Sequence, residues 1–289
     1  MERDFGQRGV SMKIGFIGAG KVGSAFGRYL FEKGLEISGY FSRSLKSSEE
    51  AALFTKSKPL SMKELVEVSD YIFITTPDDV ISEVWQSLKK FNLKGKRIFH
   101  MSGCLSLDVF DGYKDLGLGC YCLHPLYPFN DRNCFKKLEG VIFSLEGDNI
   151  EGIKDFLQKS QIKYFLIKKE NKAKYHLAAV FASNYLVSLA KISKELLLES
   201  GIKEEFIIDA IYPLMEGALN NIKEKGVEGA LTGPIVRGDY LTVKRHVENA
   251  GIYKNIYKEL GKIALCIERL KNVQGKKEKL DKIEEILRG

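Results

Sequence analysis

Six residues near the N-terminus, Gly18-Ala19-Gly20-Lys21-Val22-Gly23, have the spacing G-x-G-x-x-G. They follow a short apolar stretch, Lys13 to Ile17, and run into an amphipathic stretch from about Ser24 to Lys33. A strand that enters a glycine turn and emerges as a helix gives each glycine a separate task. Gly18 permits the tight turn, Gly20 lets a pyrophosphate approach the backbone, and Gly23 lets helix and strand pack closely. The backbone amides and the positive end of the helix then favour an anion. This is the chemistry of a dinucleotide site.

The next strand, Leu35 to Tyr40, ends where such a site distinguishes its nucleotide. Sites for NAD or S-adenosylmethionine place an acid there to bind ribose hydroxyls. Here the residues are Ser42-Arg43-Ser44, with Lys46 nearby and no acid before Glu49. A guanidinium beside hydroxyls suits a 2′-phosphate, so NADP is the expected cofactor and a methyltransferase is disfavoured. Thr75-Thr76-Pro77-Asp78 and His100-Met101-Ser102-Gly103 end two further strands. Thr75, Thr76, Pro77, Ser102 and Gly103 are therefore expected along the nicotinamide half of the cofactor.

A second set of chemistry-bearing residues lies in the C-terminal half. Asn171 to Ser200 reads as one helix of about 30 residues, apolar around much of its circumference, a pattern that implies burial in its own subunit or in a dimer. On such a helix Lys172, His176, Ser183 and Asn184 share one side with Val180. Facing a cleft, this polar stripe would serve carbonyl or imine reduction, in which a hydride goes to carbon and a donor supplies a proton. His176 is the first choice of donor, because imidazoles ionise near neutrality. Lys172 is a second donor or a ligand for a carboxylate, and Ser183 and Asn184 would orient the substrate. Thr232 and Arg237 lie in a Gly/Pro loop, Leu231 to Gly238, where Arg237 could hold a carboxylate. Asp239 is a further catalytic candidate and also fits the N-cap of a helix to about Asn249.

Cys120, Cys122 and His124 alternate along a strand and so point to one face. No fourth metal ligand accompanies them, and His124, where the strand exits into Pro125, reads as a substrate-cleft residue; no metal is expected.

Strands are expected at 13–17, 35–40, 70–75, 97–101, 119–124 and 140–145, with helices between several of them. Ser42 to Ser48 reads as a turn, and Ser61 with Glu64 as a capping box. Alternating strands and helices imply a Rossmann-type, mostly parallel α/β sheet. Pro213 is expected to kink or split a later helix. The division falls into a nucleotide domain, 12–165, and an all-helical substrate and dimerisation domain, 166–289.

The Gly18–Gly23 turn, Ser42-Arg43, Thr76-Pro77-Asp78 and His100-x-Ser102-Gly103 resemble the NADP-binding half of the ketopantoate reductase and pyrroline-5-carboxylate reductase superfamily. Its helical C-terminal domain is similar to that of 6-phosphogluconate dehydrogenase. Four further segments resemble a Rossmann-like family with a C-terminal domain of unknown function: His124-Pro125-Leu126-Tyr127-Pro128-Phe129, Tyr175-His176-Leu177-Ala178-Ala179, Ala182-Ser183-Asn184-Tyr185, and Leu231-Thr232-Gly233-Pro234 with Arg237-Gly238-Asp239. The resemblance implies an NADPH-dependent reductase of a small 2-keto acid, with ketopantoate first and the imine pyrroline-5-carboxylate second. Where ketopantoate reductases carry Lys-x-x-x-Asn, this chain has Lys172-x-x-x-His176, so a non-catalytic NADP sensor is a further alternative.

Composition narrows the remaining classes. In 289 residues, 44% are hydrophobic, enough for a substantial core and too many for a disordered chain. The charge of +7 comes from lysines interleaved with glutamates, so no nucleic-acid partner is expected. No apolar run approaches a membrane span. Five cysteines in a chain of this size, with no secretory leader, suit a reducing, cytoplasmic setting. Residues Met1–Ser11 read as an extension ahead of the first strand. The expected partners are a small carboxylate-bearing substrate and a second copy of the chain, joined through the helical domain.

Overall fold

The computed structural model describes residues 12–271 and 275–289, so the Met1–Ser11 extension lies outside the described residues. The N-terminal part runs β1 (Lys13–Ile17), α1 (Lys21–Glu32), β2 (Glu36–Phe41), α2 (Leu45–Phe54), β3 (Lys58–Pro59), α3 (Met62–Val68), β4 (Tyr71–Ile74), α4 (Asp78–Leu88), β5 (Arg97–His100), β6 (Gly119–Pro125), β7 (Ile142–Gly147), α5 (Lys154–Lys159) and β8 (Lys163–Leu166). These strands form one sheet in the order β3-β2-β1-β4-β5-β6-β7-β8. Every neighbouring pair is parallel except β6 with β7. This is the expected Rossmann-type sheet.

The continuous apolar run of β4 follows from burial on both faces. Phe73 packs with Phe16, Phe26, Phe99 and Phe143 on one side, while Ile72 and Ile74 pack with Ile17, Ile98 and Trp85 on the other. Ser61 caps α3 in a capping box with Glu64, as its spacing predicts. Two short strands, β3 and β8, carry no alternating pattern and were not legible. The Ser42–Ser48 turn proves to hold the start of α2, whose N-cap is Ser44.

The chain then continues as α6 (Lys172–Ala182), α7 (Asn184–Glu199), α8 (Ile207–Ala230), α9 (Pro234–Arg237), α10 (Tyr240–Asn249), α11 (Lys254–Leu270) and α12 (Lys277–Arg288). Two compact units result, one through Asn184 and one from Tyr185 to Gly289. The second has its own core, Ile235, Val243, Leu265, Leu280, Ile283 and Leu287.

Three helical expectations are corrected. The single helix over 171–200 is two, broken at Ser183, whose backbone leaves the helix at φ −127° and ψ −66°. The Ser183 hydroxyl lies 2.7 Å from the Ala179 carbonyl four residues back, a contact that bends helices. Leu177, Phe181 and Val187 of that segment are exposed. Pro213 lies inside α8 without splitting it; the departure falls at Gly226, which has φ +72° and no Cβ to resist it. The Gly/Pro loop contains the short helix α9, started by Pro234 and stopped by the left-handed Gly238.

His100, at the end of β5, is fully buried against Phe110 and accepts a hydrogen bond at Nδ1 from the Ser102 amide, 3.3 Å away. Burial, reinforced by the Lys172 ammonium, pushes its pKa down to about 3. Its folded pKa lies below its unfolded value, so the stabilisation from keeping it neutral is complete above about pH 6.5 and is lost as pH falls toward the folded value. The thermal midpoint is expected to drop between pH 7.5 and 4.5. His100→Gln, which cannot ionise, should drop less steeply; equal slopes would count against this source of acid lability.

Candidate active site

The glycine turn is held open by close packing. Gly18 has φ +110°, and its amide donates to the Phe41 carbonyl at 2.8 Å. Thr75 Oγ1 donates to the Gly18 carbonyl at 2.8 Å, and a methyl group on Gly23 would lie 2.4 Å from that same hydroxyl. Above Gly20, by contrast, an added Cβ would meet nothing within 4 Å. Gly20 is the N-cap of α1 and brings no side chain to the first amides, and no acid occupies the first turn. Lys21 is exposed there, and Val22 packs on the core.

A cavity of about 420 Å³ opens over this turn, lined by Gly18 to Gly20, Ser42, Arg43, and Thr75 to Pro77. Met62, Val80 and Val84 give it an apolar side suited to a base. Thr76 Oγ1 is buried with no hydrogen-bond partner, a polar atom that a ligand would satisfy. Arg43 is exposed, and among the described residues no carboxylate pairs with it. These residues fit a dinucleotide with a 2′-phosphate. The Ser44 hydroxyl accepts from the Ser47 amide and caps α2. A larger cavity, about 670 Å³, includes Asp108, Asp111, Asp115 and Asp148; a lining richer in carboxylates than cations suits a dinucleotide poorly.

The second cluster forms where the antiparallel β6–β7 pair meets α6. Cys122 lies opposite Glu146 and His124 opposite Ser144, so all four side chains share one face. Lys172, at the start of α6, is only 1% exposed. Its ammonium donates to Cys122 Sγ at 2.8 Å and lies 3.6 Å from Glu146 Oε2. One turn on, the Tyr175 hydroxyl meets His124 Nδ1 at 2.7 Å. His176 meets the loop after β5: a methyl group on Gly103 would lie 2.6 Å from His176 Cδ2 and 2.8 Å from His124 Nε2. Gly103 thus allows close approach, here of two imidazoles to the backbone.

Burial, then the Lys172 ammonium, then His176 push the His124 pKa down to about 4. Burial pushes the Cys122 thiol up to about 11, against the pull of Lys172. Cys120 is likewise raised, to about 12, by burial. Both thiols are packed and protonated, and among the described residues no group of three His, Cys, Asp or Glu could hold a metal.

Ser102 is fully engaged. Its hydroxyl donates to Asp78 Oδ2 at 2.6 Å and accepts from the amides of Cys104 and Leu105. Ser183 and Asn184 are 3.0 Å apart through their side chains at the break after α6. Thr232, Arg237 and Asp239 belong to the second unit. Thr232 and Arg237 are exposed. Asp239 accepts from the Thr242 amide and hydroxyl, which hold its carboxyl below the usual range, so it caps α10. Sequence reasoning assigned no role to Tyr175, Glu146 or Asp78. Tyr175 lies three residues from Lys172 and so on the same helix face, and it opens the family-like segment Tyr175-His176-Leu177-Ala178-Ala179; either signal could have found it.

Residues 13–100 match the family described as NADP oxidoreductase, coenzyme F420-dependent, and residues 141–263 match a domain of unknown function, DUF2520. Protein TM1727 from Thermotoga maritima is 31% identical with a TM-score of 0.71; the match covers 90% of this chain and all of that one. Pyrroline carboxylate reductase from Plasmodium falciparum, solved with NADP bound, has 15% identity and a TM-score of 0.59, covering 95% of this chain and 99% of that one. An imine reductase from Pseudomonas sp. has 17% identity and a TM-score of 0.59, covering 96% and 93%. At these lower identities the two enzymes share the fold. None of the curated proteins matches the chain.

The chain belongs to the family of Rossmann-type NADP oxidoreductases that carry this C-terminal domain of unknown function. It is an NADP-dependent oxidoreductase. Among the described residues no helix is long and apolar enough to cross a membrane.

Arg43→Ala is expected to weaken NADPH binding about 10–100-fold, the range for losing a charged hydrogen-bond partner, while NADH binding changes little. Fluorescence titration with both cofactors checks this, and equal losses for the two would show that Arg43 does not meet the 2′-phosphate.

Proposed function

We propose that the chain reduces a small 2-keto acid, with ketopantoate as the preferred substrate in pantothenate synthesis and pyrroline-5-carboxylate as the alternative. The observation that carries this reading is the 2.6 Å hydrogen bond from Ser102 to Asp78. It ties the loop bearing Gly103, and with it the His124 and His176 imidazoles, to the Thr75–Pro77 rim of the nucleotide cleft. The polar cluster and the phosphate cradle therefore serve one reaction.

Bound NADPH supplies a hydride to the carbonyl carbon. His176 delivers the proton that the oxygen then needs. His124 binds that oxygen. Lys172, enclosed by Cys122 and Glu146, does not reach a substrate directly; its fixed positive charge favours the negative charge that develops on the oxygen. A cyclic imine would use the same groups at nitrogen.

The chain also acts as a homodimer through its helical part. Ile208, Tyr212, Leu219 and Ile222 are exposed on α8 at spacings of four, seven and three, a continuous apolar stripe that water would otherwise cover.

Purified protein with NADPH is expected to turn over ketopantoate faster than pyrroline-5-carboxylate. His176→Ala should lower kcat at least about 100-fold with NADPH affinity unchanged. Turnover of neither substrate by protein that binds NADPH would reject the substrate class, and a fully active His176→Ala would reject the donor. Light scattering should give twice the chain mass, and Ile208→Glu combined with Leu219→Glu should give a monomer.

A further inference from the structure

Two segments far apart in the chain, one ending β6 and one opening α6, meet at a single hydrogen bond between His124 Nδ1 and the Tyr175 hydroxyl. An imidazole held at one nitrogen has its other nitrogen defined, either as a donor or as an acceptor. Here the other nitrogen, Nε2, faces the Gly103 backbone beside His176. We propose that Tyr175 is a positioning residue: its hydroxyl donates to His124 Nδ1, fixes the Nε2–H tautomer, and makes His124 a neutral hydrogen-bond donor to the reacting oxygen of the substrate. The part concerning substrate rests on the reductase reading above; the tautomer itself does not.

The polarity of the bond follows from its surroundings. Ser144, the register partner of His124, is fully buried, and its hydroxyl makes no hydrogen bond of its own within ordinary geometry. It offers the phenol no hydrogen bond either, and among the described residues His124 Nδ1 is the one group at hydrogen-bond distance from the Tyr175 hydroxyl. The phenol proton has that nitrogen as its acceptor, so the donation runs from Tyr175 to His124. The tyrosine ring is also fixed in place, edge-on to Phe165 from β8 at 5.8 Å and edge-on to His124 at 5.6 Å.

The charges around His124 keep the imidazole neutral. Lys172 and His176 face it from α6, Cys122 precedes it on β6, and Glu146 stands behind Lys172 on β7. The nearest fixed charge is thus an ammonium that repels a second positive charge. A neutral imidazole with a bare Nε2 lone pair would oppose an oxygen becoming anionic, whereas Nε2–H stabilises it. His124 and His176 then have different tasks: one holds the oxygen and the other supplies its proton.

Nitrogen-15 NMR of the histidine rings in the full-length protein tests the tautomer without any substrate. The His124 signals, assigned by their loss in His124→Gln, should show a bare Nδ1 and a protonated Nε2 throughout pH 5.5 to 8. Tyr175→Phe should populate both tautomers and lower kcat about 10–100-fold at unchanged NADPH affinity, the usual cost of losing a ring-orienting partner. A protonated Nδ1 in the wild-type protein overturns the proposal, and so does a Tyr175→Phe spectrum identical to wild type. Should Tyr175→Phe fail to fold, the wild-type spectrum alone decides. Inactivity of the wild-type protein toward both substrates, with the Nε2–H tautomer present, would reject the substrate assignment and leave the tautomer standing.

Discussion

A buried ammonium is the interaction on which the rest of the polar cluster depends. Removing Lys172 from water costs several kcal/mol unless partners compensate, and the partners come from two adjacent strands, Cys122 on β6 and Glu146 on β7. Their positions follow from the antiparallel register, which sets them opposite each other on one face. The first residue of α6 is thereby pinned to the sheet. Helical geometry then places Tyr175 and His176 one turn further along the same side, over His124 and Gly103. A solvated lysine at that position would leave the helix free to slide, and neither imidazole contact would be specified.

The nucleotide side is organised by a different constraint, close approach of backbones. Gly18 and Gly23 admit the Thr75 hydroxyl, and Gly20 leaves open space above the turn. Gly103 extends the same principle to the loop after β5, where the absent side chain is replaced by two imidazole edges. The Ser102–Asp78 bond connects the two regions. One edge of the sheet therefore carries both a cradle built from absent side chains and a cluster built from buried polar ones.

Local features were legible in the sequence, and long-range pairings were not. The glycine turn, the apolar β4 and the Ser61 capping box are specified by neighbours within a few residues, and each occurs where its pattern places it. The break at Ser183 was hidden because the hydrophobic period continues through it; a single hydroxyl bonded back to Ala179 ends α6. Lys172 read as a second donor or a carboxylate ligand on a polar stripe, and only the fold brings Cys122 and Glu146 against it. Tyr175 was passed over for the same reason. Tyrosine beside histidine says little until a strand residue 51 positions away supplies the nitrogen. The assignment of family was within reach because its motifs are contiguous. The arrangement that gives them chemistry is a product of register and burial.

That arrangement gives the groups of the cluster different electrostatic surroundings. A donor that must lose a proton cannot also be a fixed positive charge, and a group that keeps its charge cannot be the proton source. Lys172 is enclosed and held by two partners, so it contributes a field and no motion. His124 is driven neutral by burial and by that same ammonium, so it contributes a dipole. His176 is half-buried and lies against Gly103. A site with three nitrogen bases in one cluster would be expected to repel its own protons. Here burial, with the Lys172 ammonium beside it, keeps His124 neutral.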